Sequence, residues 1–353
     1  MEFVFEYGMF LAKVLTVIFG ILGILITVIS LVNKQSDSKK GVFEINRLNE
    51  QHENMSETLL LSSLNPYEQK FKLKELKESK KKKAKNEKIM AKASEEDKTE
   101  KKKVYIVDFK GDVRATEVDN LREEVTAIMT QASDSDEVVV RLESGGGTVH
   151  GYGLAASQLD RLKKKGVSLT ICVDKVAASG GYAMACVADQ ILAAPFAIIG
   201  SIGVVAQMPN FNRLMKKNNI DFELLTAGEH KRTLTLFGEN TQKGREKFVE
   251  DLEEIHELFK EYVRERRPAL DMSRVATGEA WLGTRAKQLG LVDDILTSDE
   301  YITNCIDASD VFEIKYVTKK SLIDRLGIAA EVSVDRLVSK WWAKLSRGAE
   351  KSF

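Results

Sequence analysis

Ser179 lies in "VDKVAASGGYAMACVADQ" (Val173–Gln190), between two alanines and two glycines. The residues before it, "VSLTICVD", are β-branched and apolar enough for a buried strand, and those after it have the small and apolar spacing of a packed helix. A serine at such a junction projects from a sharp turn. A second glycine run, "ESGGGTVHGYG", stands earlier in the chain. Glycine-rich turns can hold a phosphate, but this run lacks the Gly-Lys-Ser/Thr ending of a Walker loop and fits a dinucleotide fingerprint only loosely. Their other use is to present backbone N–H groups to an oxyanion, glycine allowing the substrate close approach. A serine beside two such loops has the layout for acyl transfer, although Ala177 and Ala178 exclude the G-x-S-x-G elbow.

A serine nucleophile needs a base, and four histidines are present: His52, His150, His230 and His256. His52 falls in a charged linker and His256 in a long charged helix, positions that suit solvated side chains. His150 and His230 remain, and the second stands in "LLTAGEHKRTLTLFGENT" beside Lys231. Ser-His is the default pair for a hydrolase. A lysine serves equally if its surroundings keep it neutral near pH 7, a shift from about 10.4 that takes about 4 to 5 kcal/mol of desolvation. On residue type alone His230 and Lys231 are both open.

These residues need a scaffold, and from Val104 onward the punctuation is that of an α/β domain. "VYIVDF" and "EVVVRL" read as strands flanking a helix over Thr116–Gln131, and "LAASQLDRLKKKG" reads as the next helix before the strand carrying Cys172. Alternating units of this kind imply parallel strands with right-handed crossovers. Chemistry in such sheets sits on loops at the carboxyl ends of strands, which puts both glycine loops on one edge. The strand-like "DFELLTAG" leads into the His230 loop, and "GREKFVEDLEEIHELFKEYVRERRP" (Gly244–Pro268) has helical spacing. Trp281 opens a short helix and strand.

The net charge is zero, but the zero is a sum of unlike segments. Residues 34–103 carry 19 Lys/Arg against 13 Asp/Glu, and residues 104–353 carry 33 against 38. The basic segment is densest over Lys80–Lys103, where the absence of Gly, Pro and many apolar residues allows a solvated helix but no core. A spacer, or contact with anionic lipid, fits it better than nucleic acid, since no aromatics are interleaved for base stacking. Before it, Val14–Val32 is 19 residues without a charge, long enough to cross a bilayer as a helix, and no small-residue cleavage site follows. Lys34, Lys39 and Lys40 flank its far end, which by the positive-inside rule favours a cytoplasmic body. Three cysteines, Cys172, Cys186 and Cys305, form neither a disulfide framework nor a CxxC metal site. Near the end, Val334, Leu337, Val338, Trp341, Trp342 and Leu345 form an apolar stripe opposed by Arg336, Lys340 and Lys344, suited to a membrane surface or a neighbouring chain.

Taken in order, "DKVAASGGYAMACVAD", "GSIGVVAQMPNF" and "TAGEHKRTLTLFGENT" resemble the signal peptide peptidase A family of serine-lysine proteases over essentially the whole chain. The resemblance implies an α/β fold with a Clp protease/crotonase-like parallel sheet core, preceded by one N-terminal transmembrane helix. It implies Ser179 as nucleophile, Lys231 as general base and acid, and Ser201 of G-S-I-G as the residue orienting the lysine. Gly180 with Gly146 or Gly147 would form the oxyanion hole. Where family members commonly read S-P-G-G this chain has Ser144, Gly145, Gly146 and Gly147, so the loop loses the φ restraint of proline. The implied division is an anchor (1–33), a charged linker (34–103), a protease domain (104–318) and an amphipathic tail (319–353). No metal or cofactor is implied. The implied partners are peptide or protein substrates such as signal-peptide remnants, membrane lipid, and further copies of the chain in a ring, with Ser179 of one subunit facing Lys231 of the next. No nucleic-acid partner is implied. The resemblance places the protein in a bacterial inner membrane as a single-pass protein. The family's best-known relatives hold their catalytic part outside that membrane, against the charge flanks here. Two other classes share such a fold: a catalytically silent scaffold, and an acyl-CoA enzyme, for which Glu143 is the one carboxylate directly beside a glycine loop.

Overall fold

In a computed structural model of the chain, residues 41–92 and 101–318 are described, with isolated positions at 8, 9, 13, 15, 16, 19 and 20. The fold is carried by one unit, Phe43–Tyr316; a second comprises 1–42 with 317–353. The stretch Val14–Val32, apart from single positions, and the whole 334–345 stripe lie outside the described residues. Among the described residues no helix is long and apolar enough to cross a membrane.

The strands are β1 (Val42–Arg47), β2 (Lys103–Gly111), β3 (Glu137–Ser144), β4 (Ser168–Val173), β5 (Val176–Ala178), β6 (Gln190–Ala193), β7 (Ile198–Gly200), β8 (Ala280–Leu282), β9 (Asp294–Ile295) and β10 (Asp310–Val317). The helices are α1 (Leu48–Ser62), α2 (Pro66–Lys92), α3 (Val118–Gln131), α4 (Val149–Lys165), α5 (Gly180–Ala185), α6 (Asn212–Lys217), α7 (Gln242–Arg266), α8 (Met272–Val275), α9 (Gly283–Gln288) and α10 (Ser298–Ala308). The main sheet runs β1-β10-β2-β3-β4-β6-β9. Pairing from β10 through β9 is parallel. A short branch leaves it, with β5 beside β3 and β7, and β8 closing antiparallel on β7. The fold is therefore α/β with a predominantly parallel sheet.

Strands buried on both faces read as continuous apolar runs, and "VVV" (138–140) of β3 is one. Period-two alternation divides their side chains between two cores. Tyr105, Val107, Phe109, Val138, Val140 and Leu142 enter the larger core under α3, α4 and α5, whereas Val104, Ile106 and Val139 face Cys172, Ile302 and Val311 on the other side. Cys172 and Cys186 are buried free thiols and Cys305 is half-buried. Burial pushes the Cys172 and Cys186 thiols up to about 12, so neither is a thiolate near neutrality.

Two differences from the sequence expectations have physical causes. "DFELLTAG" forms no strand: residues 221–226 are irregular and exposed, with no neighbouring strand to pair with. An isolated strand cannot satisfy its backbone groups. Within the stretch expected as linker, β1 joins the sheet edge and α1 and α2 form a hairpin. Asn49 holds this segment to the sheet, its amide donating to the Ile306 and Ser309 carbonyls and its oxygen accepting from the Val311 N–H.

Candidate active site

Ser179 occupies the single residue between β5 and α5 and has φ 52° and ψ −120°. A non-glycine residue with positive φ is strained and persists only where its surroundings fix it. Here its N–H donates to the Gly200 carbonyl at 2.8 Å, and its carbonyl accepts from Ala183 at 3.0 Å. The strand pairing that seats this turn, Ser144 beside Ala177 and Ala178 beside Gly200, brings three loops to one edge of the sheet. These are the loops after β3, β5 and β7. The two glycine loops thus meet, as their positions after parallel strands require.

Contact between them is close enough to demand glycine. A Cβ on Gly146, which has φ +86°, would stand 2.7 Å from the Gly180 nitrogen and 2.8 Å from the Ser179 Cβ; one on Gly147 would stand 2.1 Å from the Val113 carbonyl oxygen. A Cβ on Gly180 would reach within 2.4 Å of the Tyr152 ring. Gly145, in place of the family's proline, meets nothing within 4 Å and has no left-handed φ. The Gly146 N–H donates to Ser144 Oγ at 3.0 Å. The N–H groups of Gly147 and Gly180 have no acceptor among the described residues. Gly180 opens α5, where a helix leaves its N–H groups unpaired and the helix dipole favours negative charge.

Ser201 follows β7 with φ 52°, immediately after the Gly200 carbonyl that holds Ser179. Its N–H donates to the Glu279 carbonyl at 2.6 Å, and the Ile202 carbonyl accepts from Gly278 at 3.1 Å. His256 also reaches the Ile202 carbonyl, at 3.2 Å from Nε2. Since a carbonyl only accepts, that nitrogen carries the proton. His256 is therefore half-buried and joined to the Ser201 loop, not a solvated side chain of the long helix.

The structure brings together Ser179, Gly180, Gly146, Gly147 and Ser201, but places Lys231 apart from them. Lys231 is exposed on a turn held by its own N–H to the Gly228 carbonyl at 3.2 Å, and among the described residues no hydrogen bond joins it to Ser179 or Ser201. The histidines do no better as bases: His150 and His230 are exposed, and the nearest partner of His230 is Glu229 at 3.9 Å. Glu143 is engaged by Lys175, at 3.1 Å from both carboxylate oxygens. Among the described residues no three His, Cys, Asp or Glu side chains converge as a metal would require.

Sequence reasoning missed the supporting residues. Tyr152, 1 % exposed, lies beneath both glycine loops; the one signal for it was an aromatic between two glycines in "HGYG". Trp281 covers Gly200, whose Cβ would come 2.8 Å from the indole.

This combination of parallel sheet, strained serine and convergent glycine amides defines a hydrolase-like site, and sequence relationships specify the class. The chain belongs to peptidase family S49: residues 2–159 match the Peptidase family S49 N-terminal region and residues 161–312 match Peptidase family S49. It is 49 % identical over 342 residues to "Probable protease SohB" of Haemophilus influenzae, covering 97 % of each chain. It is also 49 % identical over 303 residues to the protein of the same description from Buchnera aphidicola subsp. Schlechtendalia chinensis, covering 86 % of this chain and 99 % of that one. A more distant relative, "Protease 4" of Haemophilus influenzae, is 27 % identical over 208 residues, 57 % of this chain and 34 % of its own. The resemblance seen in the three motifs holds at the level of the family, and the protein is a peptidase.

Proposed function

We propose that the protein hydrolyses peptide bonds with a Ser179–Lys231 dyad assembled between neighbouring copies in a ring, on a Clp/crotonase-like core anchored by Val14–Val32. The observation that carries this reading is the strained Ser179 beside the unpaired N–H groups of Gly147 and Gly180. Lys231 in its neutral form takes the proton from Ser179 Oγ as that oxygen attacks the peptide carbonyl. The amides of Gly147 and Gly180 receive the developing oxyanion, and Gly146, lacking a side chain, lets the two loops close around it. Protonated Lys231 then delivers its proton to the leaving amine, and water releases the acyl-enzyme by the reverse sequence. Ser201 accepts one hydrogen bond from the lysine and fixes its direction. Substrates are extended peptides, including remnants of cleaved signal peptides.

A dyad shared between copies accounts for a lysine exposed within one chain. It also accounts for apolar side chains left exposed on the irregular stretch after β7, among them Val205 (79 % exposed) and Leu225 (90 % exposed). The decisive experiment combines full-length Ser179→Ala with full-length Lys231→Ala. Each variant alone is expected to lose peptidase activity, and co-assembled subunits to regain a fraction of it. Failure of the mixture to regain activity overturns the shared dyad; an active Ser179→Ala overturns the nucleophile.

A further inference from the structure

The helical hairpin preceding the peptidase body carries a face with no partner in the fold. On α2 the residues directed at α1 include Gln69, which donates to the Leu61 and Leu64 carbonyls, and Lys80, which pairs with Glu57. At 100° per residue the opposite stripe takes Tyr67, Phe71, Lys74, Glu75, Glu78, Lys81, Lys82 and Lys85, with Lys70 and Lys77 on its flank. Tyr67 is 88 % and Phe71 76 % exposed, and the six lysines of this face and its flank pair with no carboxylate among the described residues. The geometry points to this face as a docking surface for an anionic lipid bilayer. Positive charge complements acidic headgroups, and aromatic rings at i and i+4 suit the interfacial layer. Nucleic acid would want aromatics interleaved along the whole basic run, and here they stand only at its first turn. In part this rests on the proposed anchor. Nine residues separate Val32 from Val42, a reach of about 35 Å, which keeps the hairpin near any membrane that the anchor crosses.

The test uses full-length protein with Cys305→Ser and Tyr67→Cys, bimane-labelled at position 67 and reconstituted into vesicles containing brominated acyl chains. One set is neutral phosphatidylcholine and the other holds about 30 % phosphatidylglycerol. Expected is quenching in the anionic vesicles that falls severalfold in 0.5 M salt, taking screening to about 4 Å. It should vanish on reversal of Lys74, Lys81, Lys82 and Lys85 to Glu, while a label at Asp299→Cys stays unquenched. Equal quenching in both vesicle types, none in either, or cross-linking of position 67 between copies without quenching overturns the proposal. Flotation reports the anchor separately, and a chain that floats with neither vesicle overturns both readings.

A second inference rests on a different observation and on the proposed role of Ser179. Tyr152 Oη donates to the Asp112 carbonyl at 2.8 Å and accepts from Ser144 Oγ, which accepts from the Gly146 N–H at 3.0 Å. The Tyr152 ring meanwhile lies against Gly180. One buried side chain thus touches both oxyanion loops, and its hydrogen bonds orient the loop carrying Gly147. We infer that Tyr152 is a positioning residue for the oxyanion hole. Tyr152→Phe keeps the ring and removes the hydroxyl. Expected are a kcat about tenfold lower, an unchanged KM, and binding of a peptide aldehyde weakened by the same factor. Unchanged kcat, or a loss of activity that follows a fall in melting temperature, overturns the inference. A Ser179→Ala variant as active as wild type would instead mark failure of the serine mechanism itself.

Discussion

At the scale of single residues, neighbouring glycines in one loop have unlike duties. Gly146 combines a left-handed φ with backbone atoms under 3 Å from any added Cβ, whereas Gly145 faces open space. Gly146→Ala is therefore expected to reduce turnover by at least about a hundredfold through displacement of the amides at the oxyanion. Gly145→Ala is expected to retain activity and to gain about 0.5 kcal/mol by restricting the unfolded chain. Steady-state kinetics and urea unfolding of both variants check the pair. Glu124 is a second residue whose environment makes a definite prediction. It is buried, accepts from the Tyr316 N–H at 2.8 Å, and burial lifts its carboxyl to about 7, with Glu117 and Asp108 adding to the rise and Lys315 opposing it. A carboxyl raised in the folded state favours folding fully below its unfolded value, and that advantage is lost as pH climbs to about 7. Glu124→Gln, which keeps an acceptor for Tyr316, should then stabilise the protein above pH 7 by up to about 3 kcal/mol. The gain should disappear near pH 4, as denaturant titrations across the range would show.

Among the elements, the long helix α7 matters to the site through one side chain. It begins at a Thr241 cap accepting from Gly244 at 3.1 Å, and of its 25 residues only Val263 is fully buried. Its hold on the remainder includes the His256 bond to the Ile202 carbonyl, one residue from Ser201. Thr241→Ala should cost about 1 kcal/mol of stability with activity preserved, since it removes only the cap's bond to the Gly244 N–H. His256→Ala should do the reverse, lowering kcat by loosening the Ser201 turn while thermal stability changes little. Parallel measurement of melting temperature and kcat separates the two outcomes.

For the whole molecule, the irregular stretch after β7 carries the proposed contact between copies. Phe237 meets Phe211 and Phe222 at ring separations of 6.0 and 5.7 Å, yet all three rings stay exposed. Val205, Leu214 and Leu225 are exposed with them. Apolar surface of this kind on a segment carrying the lysine proposed as base fits burial against another copy. Leu225→Asp is expected to shift the protein from an assembly to a monomer in light scattering. Activity should be lost in parallel, with the fold of Phe43–Tyr316 intact by circular dichroism.

Much of this was legible in the residues alone. Valine-rich β2 and β3, the helices between them and the placement of both glycine loops on one edge follow from periodicity and the geometry of parallel crossovers, which act locally. Family membership was legible for the same reason, because the three motifs are contiguous. Tertiary structure alone could decide what depends on neighbours distant in sequence. "DFELLTAG" has the composition of a strand, yet finds no edge to pair with and stays irregular. His256 reads as a charged-helix side chain until Ile202 is packed against it. Tyr152 shows its role only when the β3 and β5 loops meet above its ring, because a hydrogen-bond chain through Ser144 and Asp112 exists only in three dimensions.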